Sequence, residues 1–263
     1  MIQSMESVQM EEFGTDKWYR HHGYLTKLNM QAVNSAQTQG DEFVKEYLIA
    51  HQKLPLLVES LIIVELWKEK VFPHFLNSDV EPTSSFPTYT LLYHELTLAN
   101  LLETITFHAD ATETLGDSAV DLVDWCYRSL CHLISEYSTE QSKTELIQLK
   151  DKIAEESNLE DLRRQHRLIA FDKGMKAISL VRHLLEHSLS KNSVLPLGVG
   201  RRLLHTNDVV LALCELVDKT PWTAIAMDKD TKKFSKFVWQ ESGIWTPDYK
   251  VTIPMGKTEG QVS

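Results

Sequence analysis

The segment His183-Leu-Leu-Glu-His187 contains the residue types that hold a catalytic zinc ion in metallohydrolases. Two histidines four positions apart lie on one face of a helix, and the glutamate beside them can act as a general base. Glu259, further along the chain, is the available third ligand. A zinc-dependent hydrolase built on His183, Glu186 and His187 is therefore one alternative for the function.

A solvated helix face explains the same five residues more simply. The chain contains 11 histidines, so a short match arises readily by chance. Glu259 lies in a polar tail in which nothing holds a ligand rigid. The sequence therefore predicts no catalytic residue, no cofactor-binding residue and no metal ligand, and a protein that is not an enzyme.

The three cysteines do not form a zinc-binding pattern. Cys126 and Cys131 are four residues apart, His132 follows, and Cys214 lies far away, whereas structural zinc sites use two closely spaced ligand pairs. Cys126 falls on an apolar helical stripe, which predicts a buried thiol. Three widely separated cysteines also give no disulfide framework, so we expect a reducing compartment.

Six tryptophans are candidates either for the core or for contacts with a partner. Trp67 and Trp125 lie within apolar helical stretches, which predicts burial. Trp18 lies beside Tyr19 and the pair His21-His22, and for it both interpretations stay open.

Composition limits the classes of partner. The formal net charge of the 263-residue chain is −10, from 37 acidic and 27 basic residues. An acidic chain repels phosphate backbones and anionic membranes, so we expect no nucleic acid ligand. The N-terminus has acidic residues where a signal peptide needs basic ones, and the most apolar segment, 54–67, is too short to span a bilayer. We predict a cytosolic protein with no membrane span.

The hydrophobic period is helical. Leu98, Leu101, Leu102 and Ile105 share one helix face, and the stretch from Val120 repeats this spacing. Asp117 or Ser118 is the expected N-cap of the second helix. The stretch 144–188 is too long for one uncapped helix, so we divide it near Ser157-Asn158; Gly174 need not break the second part.

Loop residues divide the helices into units of roughly 35–45 residues, which is typical of helical repeats. These breaks are Pro73, Gly116 and the stretches 77–87 and 191–200. Residues 51–61 also resemble residues 205–217, and each copy predicts a helix that ends at a histidine and a second, largely buried helix. No heptad pattern persists, so a coiled coil is disfavoured. The predicted fold is an all-α, armadillo/HEAT-like helical repeat.

The last forty residues differ in character. Residues 233–240 and 244–251 predict two short strands around a Glu-Ser-Gly turn, that is, a β-hairpin near the C-terminus. A polar tail follows, with no cap for an open helical stack, so we expect a truncated end. The predicted organisation is a flexible N-terminus over 1–15, a helical-repeat domain over 16–222 and an aromatic-rich hairpin or loop segment over 223–263.

Several long strings of unusual sequence carry a resemblance. They are WYRHHGYLTKLNMQAV at 18–33, LPLLVESLIIVELWKEKVFP at 54–73, LLETITFH at 101–108 and DLVDWCYRSL at 121–130. SLVRHLL, LLHTNDVVLALCELV and Pro221-Trp222 follow in order. Together they resemble the dynein-arm preassembly factors of the MYND zinc-finger class.

The resemblance implies a cytoplasmic, co-chaperone-like adaptor that helps to assemble axonemal dynein arms for motile cilia. It implies as partners a leucine-rich-repeat dynein assembly factor, chaperones and co-chaperones, and dynein intermediate and heavy chains. It places the protein in the cytoplasm, with centriolar satellites and the ciliary base as further locations.

The zinc finger of that family has no counterpart in this sequence. Cys126, Cys131 and Cys214 all lie in the helical region, so none is carried over as a ligand, and zinc is expected only in the finger that this chain lacks. We expect a short isoform, a fragment or an unfinished gene model. Some other MYND-finger proteins are transcriptional co-repressors, which gives a further alternative that the acidic composition disfavours.

Overall fold

A computed structural model of the chain describes residues 2–77, 81–151, 157–190, 195–228, 231–240 and 243–248. The α-helices, in chain order, are α1 (Asp16–Thr38), α2 (Phe43–Ala50), α3 (Leu54–Lys70), α4 (Phe72–Leu76), α5 (Phe86–Thr106), α6 (Ala109–Glu113), α7 (Ser118–Glu136), α8 (Glu140–Asp151), α9 (Asn158–Ser188), α10 (Leu197–Arg201) and α11 (Val209–Lys219). A 3-10 turn at Met10–Glu12 and a π-helical turn at Arg202–Thr206 complete the helical part.

The long helices stack in two layers. Helices α1, α5 and α9 lie side by side in one layer, and α3, α7 and α11 form the other. Across the layers α3 packs on α5 and α7 packs on α9. This arrangement of stacked helix pairs confirms the predicted all-α fold of repeated helices.

The position of each helix in the stack explains its composition. Helix α7 buries Val123, Cys126, Leu130 and Leu133 at helical spacing and turns its remaining face outward. Helix α5 is enclosed by α1, α3 and α9, so residues around most of its circumference are buried, including the polar His94 and Glu95.

Two predicted helix ends have different outcomes. Ser157 caps α9, since its hydroxyl accepts from the backbone N–H of Glu160 and the Glu160 carboxylate accepts from the N–H of Ser157. This capping box confirms the division near Ser157-Asn158. At α7 the expected cap is wrong: Asp117 precedes the helix in a helical conformation and makes no capping bond, while the Ser118 hydroxyl donates to the Leu115 carbonyl.

The similarity between residues 51–61 and residues 205–217 corresponds to a repeated turn between helices. In the first copy α2 ends at Ala50, directly before His51, and α3 begins at Leu54; in the second, the π-helical turn contains His205 and α11 begins at Val209. The expectation that both second helices are largely buried holds for α3 only. Helix α11 leaves Val210, Leu211 and Val217 exposed, because α7 is its only large helical neighbour in the described part of the chain.

Two breaks differ from the expected loops. Pro73 lies in the first turn of α4, where proline costs no helical hydrogen bond. The stretch 191–200 includes the start of α10, while 191–194 lies outside the described residues, as do 78–80 of the stretch 77–87. Gly116 does form a turn, with φ +54°.

Gly174 marks the closest approach of α9 to α7. Helix α9 runs through it unbroken. A Cβ atom at this position would lie 3.0 Å from Leu133 Cδ1 and 3.3 Å from Leu133 Cβ, both closer than ordinary van der Waals contact. The missing side chain therefore sets the distance between these two helices.

Replacing Gly174 with valine is expected to lower the free energy of unfolding by about 1–3 kcal/mol, because the added methyl groups overpack the α7–α9 contact. Gly23→Val on α1 is the matched control: nothing lies within 4 Å of a Cβ at Gly23, and valine favours a helix more than glycine does. Urea denaturation of both variants measures the difference. Equal stability of the two variants would contradict the close contact.

The N-terminal segment packs against the helices. Met5 and Val8 are buried against the helices, Lys53 Nζ donates to the Met5 carbonyl at 2.8 Å, and Ser7 Oγ donates to Glu59 Oε1 at 2.8 Å. Met5 and Val8 remove apolar surface from water by packing on the helices. The acidic composition of the segment gave no indication of this packing.

The C-terminal part forms a three-stranded antiparallel sheet, β1 (Thr223–Met227), β2 (Phe234–Trp239) and β3 (Trp245–Pro247), in the order β1-β2-β3. The expected hairpin is thus present as β2 and β3, with Phe237 opposite Pro247 and Trp239 opposite Trp245. Residues 249–251 of the second predicted strand and the polar tail lie outside the described residues. Strand β1 was not predicted; its buried Ala224 and Ala226 carry little hydrophobic pattern.

Within the described ranges, no helix by itself has the length and apolarity needed to cross a membrane. The helix pair Phe43–Ala50 and Leu54–Leu76, bent by 93°, passes that test together by length and composition.

Candidate protein-binding groove

The histidine motif on α9 is not assembled into a metal site. His183 is buried and its Nδ1 lies 3.3 Å from Thr106 Oγ1, and burial lowers the pKa of His183. Glu186 points into solvent and lies 3.9 Å from Arg182. Glu259 lies outside the described residues, and no group of three or more potential ligands occurs among those that are described.

The cysteines take the positions of isolated thiols. Cys126 is fully buried in the core, as predicted, and burial raises the pKa of its thiol. Cys131 and Cys214 are exposed.

The structure settles the question left open for Trp18. Trp18 is fully buried, its ring stacked on His22 at a centroid distance of 5.4 Å, so it belongs to the core. Trp67 and Trp125 are buried as predicted. Trp239 and Trp245, by contrast, lie beside an open surface.

That surface is a groove of about 790 Å³ along the outer face of α1, α5 and α9. Trp239 and Gly243 of the sheet segment close one end, and Phe107 and His108 lie toward the other. Phe107 is 62% exposed and packs edge-on against His183 at 5.7 Å. A long concave face with exposed aromatic rings is typical of helical stacks that bind protein segments.

Polar pairs across the groove hold its helices in register. Asn100 Nδ2 donates to Asn29 Oδ1 at 2.8 Å and joins α5 to α1, while Lys176 Nζ lies 2.7 Å from Glu103 Oε2 and joins α9 to α5. Since these groups bond to one another at the surface, they position the groove and also offer polar contacts to a ligand.

A smaller cavity of about 170 Å³ continues the hairpin end of the groove. We call it the aromatic pocket; Tyr89, Tyr93, Trp239, Trp245 and Asp172 are among the residues that line it. Tyr89 and Tyr93 are one turn apart on α5 and stack at 5.8 Å, and Trp239 meets Trp245 edge-on at 5.5 Å.

Beneath the groove lies a buried ion cluster of Lys68, Glu95 and Lys173. Glu95 is 1% exposed; its carboxylate accepts from Lys68 Nζ at 2.6 and 2.9 Å and from Lys173 Nζ at 3.3 Å. Trp125 Nε1 donates to the same carboxylate at 3.2 Å. The cluster therefore ties α3, α5, α7 and α9 together at one point.

The charges in the cluster are unequal, because one carboxylate faces two ammonium groups. Burial alone would raise the pKa of Glu95, but Lys173 and Lys68 outweigh it and lower that pKa to about 2. Burial, only partly offset by Glu95, lowers the pKa of Lys173 to about 8. Lys68, bonded through both carboxylate oxygens, has a raised pKa. These residues position the groove helices and do not line the groove.

Neither the groove nor the ion cluster was predicted from the sequence. The exposure of Phe107 and Tyr93 depends on how α5 packs between its neighbours. A charged residue inside an apolar helix, as Glu95 is within LLYHELTLANLL, was the one available indication of a buried ion pair.

Comparison with known proteins was made on the whole chain. No family model matches it, and no solved structure matches it. It is 30% identical over 247 residues to the zinc finger MYND domain-containing protein 10 homolog of Drosophila melanogaster. The match covers 93% of this chain and lies outside the MYND finger of the relative. The chain spans about half, 51%, of the length of that relative. The resemblance inferred from the sequence is thereby confirmed: over nearly its whole length this chain is similar to that zinc finger MYND domain-containing protein 10 homolog.

Proposed function

We propose that the chain is a non-catalytic scaffold, a co-chaperone-like adaptor for the preassembly of axonemal dynein arms. The observation that carries the proposal is the 30% identity to the MYND domain-containing relative, which extends over 93% of the chain. Dynein-arm preassembly is what that family resemblance implies.

The two-layer helical stack supports an adaptor role in physical terms. A groove of about 790 Å³ with an exposed phenylalanine offers a surface on which an unassembled subunit can be held. The expected partners are a leucine-rich-repeat dynein assembly factor, chaperones and co-chaperones, and dynein intermediate and heavy chains. The expected place of action is the cytoplasm, including centriolar satellites and the ciliary base.

Affinity purification from ciliating cells tests this role. The tagged chain is expected to recover dynein intermediate or heavy chains together with chaperones, as measured by quantitative mass spectrometry. Phe107→Ser should reduce this recovery, because Phe107 is the large exposed aromatic side chain at one end of the groove.

Val217→Ser is the matched control, since Val217 on α11 is 67% exposed and lies outside the groove. It should recover the same proteins as the parent chain. Recovery of no dynein subunit and no chaperone by the parent chain would contradict the proposed function. Accumulation of the chain in the nucleus would favour the co-repressor alternative instead.

A further inference from the structure

We propose that the groove binds a segment of another protein in extended conformation, and that Asn29 and Asn100 hold a main-chain amide of that segment. The source of the segment, an unassembled client held by the scaffold, rests on the proposed function. The mode of binding is contact with the main chain, which clients of different sequence all offer.

The length of the groove suits a short extended segment. Helix α5 packs between α1 and α9, and all three helices line the groove. The lining residues of α5 and its C-cap extend from Tyr93 to Phe107, and a helical rise of about 1.5 Å per residue makes this roughly 21 Å. An extended chain advances about 3.3 Å per residue, so about six residues fit along the groove.

A pair of side-chain amides lies in the groove with part of its hydrogen-bonding capacity unused. Asn100 Nδ2 donates to Asn29 Oδ1 at 2.8 Å, across the contact of α1 with α5. An asparagine side chain has two N–H donors and a carbonyl acceptor, so the Nδ2 group of Asn29 and the Oδ1 atom of Asn100 are left over. Neither of these atoms has another partner among the described residues, and neither is fully buried. Both are therefore available to a ligand.

This donor and this acceptor together are complementary to one main-chain amide. The Nδ2 group of Asn29 can donate to a ligand carbonyl, and Oδ1 of Asn100 can accept from a ligand N–H. In a helical ligand the main-chain groups already bond to one another, whereas in an extended segment they are unpaired. The asparagine pair therefore favours an extended ligand, as in other complexes in which main-chain hydrogen bonds supply the affinity.

Several charged side chains of the groove are already neutralised by neighbours. Lys176 Nζ lies 2.7 Å from Glu103 Oε2, and the carboxylate of Glu42 contacts both His108 and Lys45. A charged ligand side chain would have to displace one of these pairs, whereas an uncharged main chain leaves them in place. Recognition through the main chain is consistent with these pairs.

Apolar side chains on either side of the asparagine pair supply the remaining contacts. Phe107 is 62% exposed, and His183 packs edge-on against its ring at 5.7 Å. Seven helical positions separate it from Asn100, which is about 10 Å, or about three residues of extended chain. Leu96 and Met175 line the groove as well, Leu96 one turn of α5 before Asn100. Apolar ligand side chains flanking the bound amide can therefore cover these residues.

The test uses the purified chain and an acetylated, amidated seven-residue serine peptide with leucine at its second and sixth positions. A set of ester analogues replaces one backbone amide at a time, which removes a single N–H and keeps the shape. Binding is followed by NMR through the ¹³C-labelled methyl group of Met175, which lines the groove. We expect the all-amide peptide to shift this resonance, and the ester at one central position to bind about fivefold more weakly, the value of one hydrogen bond.

Variants of the chain assign the effect to the asparagine pair. Asn29→Leu and Asn100→Leu should each weaken the all-amide peptide by about fivefold. In Asn100→Leu the sensitive ester should cost no further affinity, because the acceptor of that N–H is gone. Asn34→Leu, at an exposed position of α1 outside the groove, is the matched control and should bind as the parent does. Circular dichroism checks the folding of each variant, and the ester series needs no variant at all.

An unmoved Met175 resonance overturns the proposal, as do ester analogues that all bind as tightly as the amide. An ester effect that persists in folded Asn100→Leu overturns the role of the asparagine pair. Tighter binding of a hydrocarbon-stapled helical peptide, with the same two leucines on one face, identifies a helix as the occupant and also overturns it.

Failure of this binding mode and failure of the proposed function are distinguishable. A chain that recovers dynein subunits from cells but shows no main-chain dependence refutes the extended binding mode alone. A chain that binds the peptide through its main chain but recovers no dynein subunit or chaperone refutes the cellular role alone.

Discussion

Replacing Glu95 with glutamine is expected to lower the free energy of unfolding by about 3–5 kcal/mol, the usual cost of removing one partner from a buried ion pair. The amide keeps the shape of the carboxylate, so packing changes little. Lys68 and Lys173, however, lose the charge that compensates both ammonium groups. Urea denaturation at pH 7 measures the loss.

Lys173→Met provides the matched comparison within the same cluster. Glu95, together with the nearby Glu65 that is already paired with Arg128, does not compensate both lysines fully, and the pKa of Lys173 is lowered to about 8 because burial opposes its charge. Methionine fills a similar space beside the Trp125 ring, which Lys173 Nζ approaches at 5.7 Å from the centroid. We expect Lys173→Met to remain within about 1 kcal/mol of the parent or to exceed it. A loss as large as that of Glu95→Gln would show that the two lysines are equally needed.

Acidification below pH 6.5 is expected to destabilise the fold through buried histidines. Burial and the nearby Lys68 and Lys173 lower the pKa of His166 to about 4, while in the unfolded chain a histidine titrates near 6.5. Between pH 6.5 and about 4 the unfolded state therefore binds more protons, so stability falls as the pH falls. For His166 alone, the free energy of unfolding falls by about 3 kcal/mol when the pH is lowered to 4.

Other histidines whose pKa is lowered by burial, among them His94 and His22, add to the same loss. His94, fully enclosed beside His22, has a pKa well below its ordinary value because of burial and the neighbouring histidine, and the pKa of His22 is lowered by burial. Glu95 acts in a lower window: its pKa is lowered to about 2, so its contribution is present above about pH 4.5 and is lost as the pH falls toward 2.

Measuring unfolding by urea at several pH values separates these contributions. His166→Gln should flatten the fall in stability between pH 6.5 and 4, since glutamine does not titrate. His205→Gln, at an exposed histidine, is the control for the substitution itself. A slope that His166→Gln does not change would contradict the role of that burial.

The helices were predictable because local sequence decides them. Leu98, Leu101, Leu102 and Ile105 repeat at helical spacing, and Ser157 with Glu160 forms a capping box that needs no tertiary contact. The cap at Asp117 failed for the opposite reason, since a polar residue before a helix can equally well adopt a helical conformation.

The groove depends on contacts that sequence spacing does not encode. Tyr89 and Tyr93 are one turn apart on α5, but they form a pocket only because Trp239 and Trp245, more than a hundred residues later, pack on Phe171 next to them. Likewise, the sequence shows Glu95 only as a charged residue within a helix. The ion cluster exists because α3 and α9 place Lys68 and Lys173 next to it.

The sequence by itself determined the helical class, the hairpin of β2 and β3, and the similarity to the MYND domain-containing relative. Hydrophobic period, turn residues and long shared strings are local properties, so they can be recognised without knowledge of the fold. Only the tertiary structure decided that Trp18 is core, that the histidine motif on α9 holds no assembled ligand set among the described residues, and where the groove lies. Each of these depends on which helix faces become neighbours, and that choice is made by packing over the whole stack.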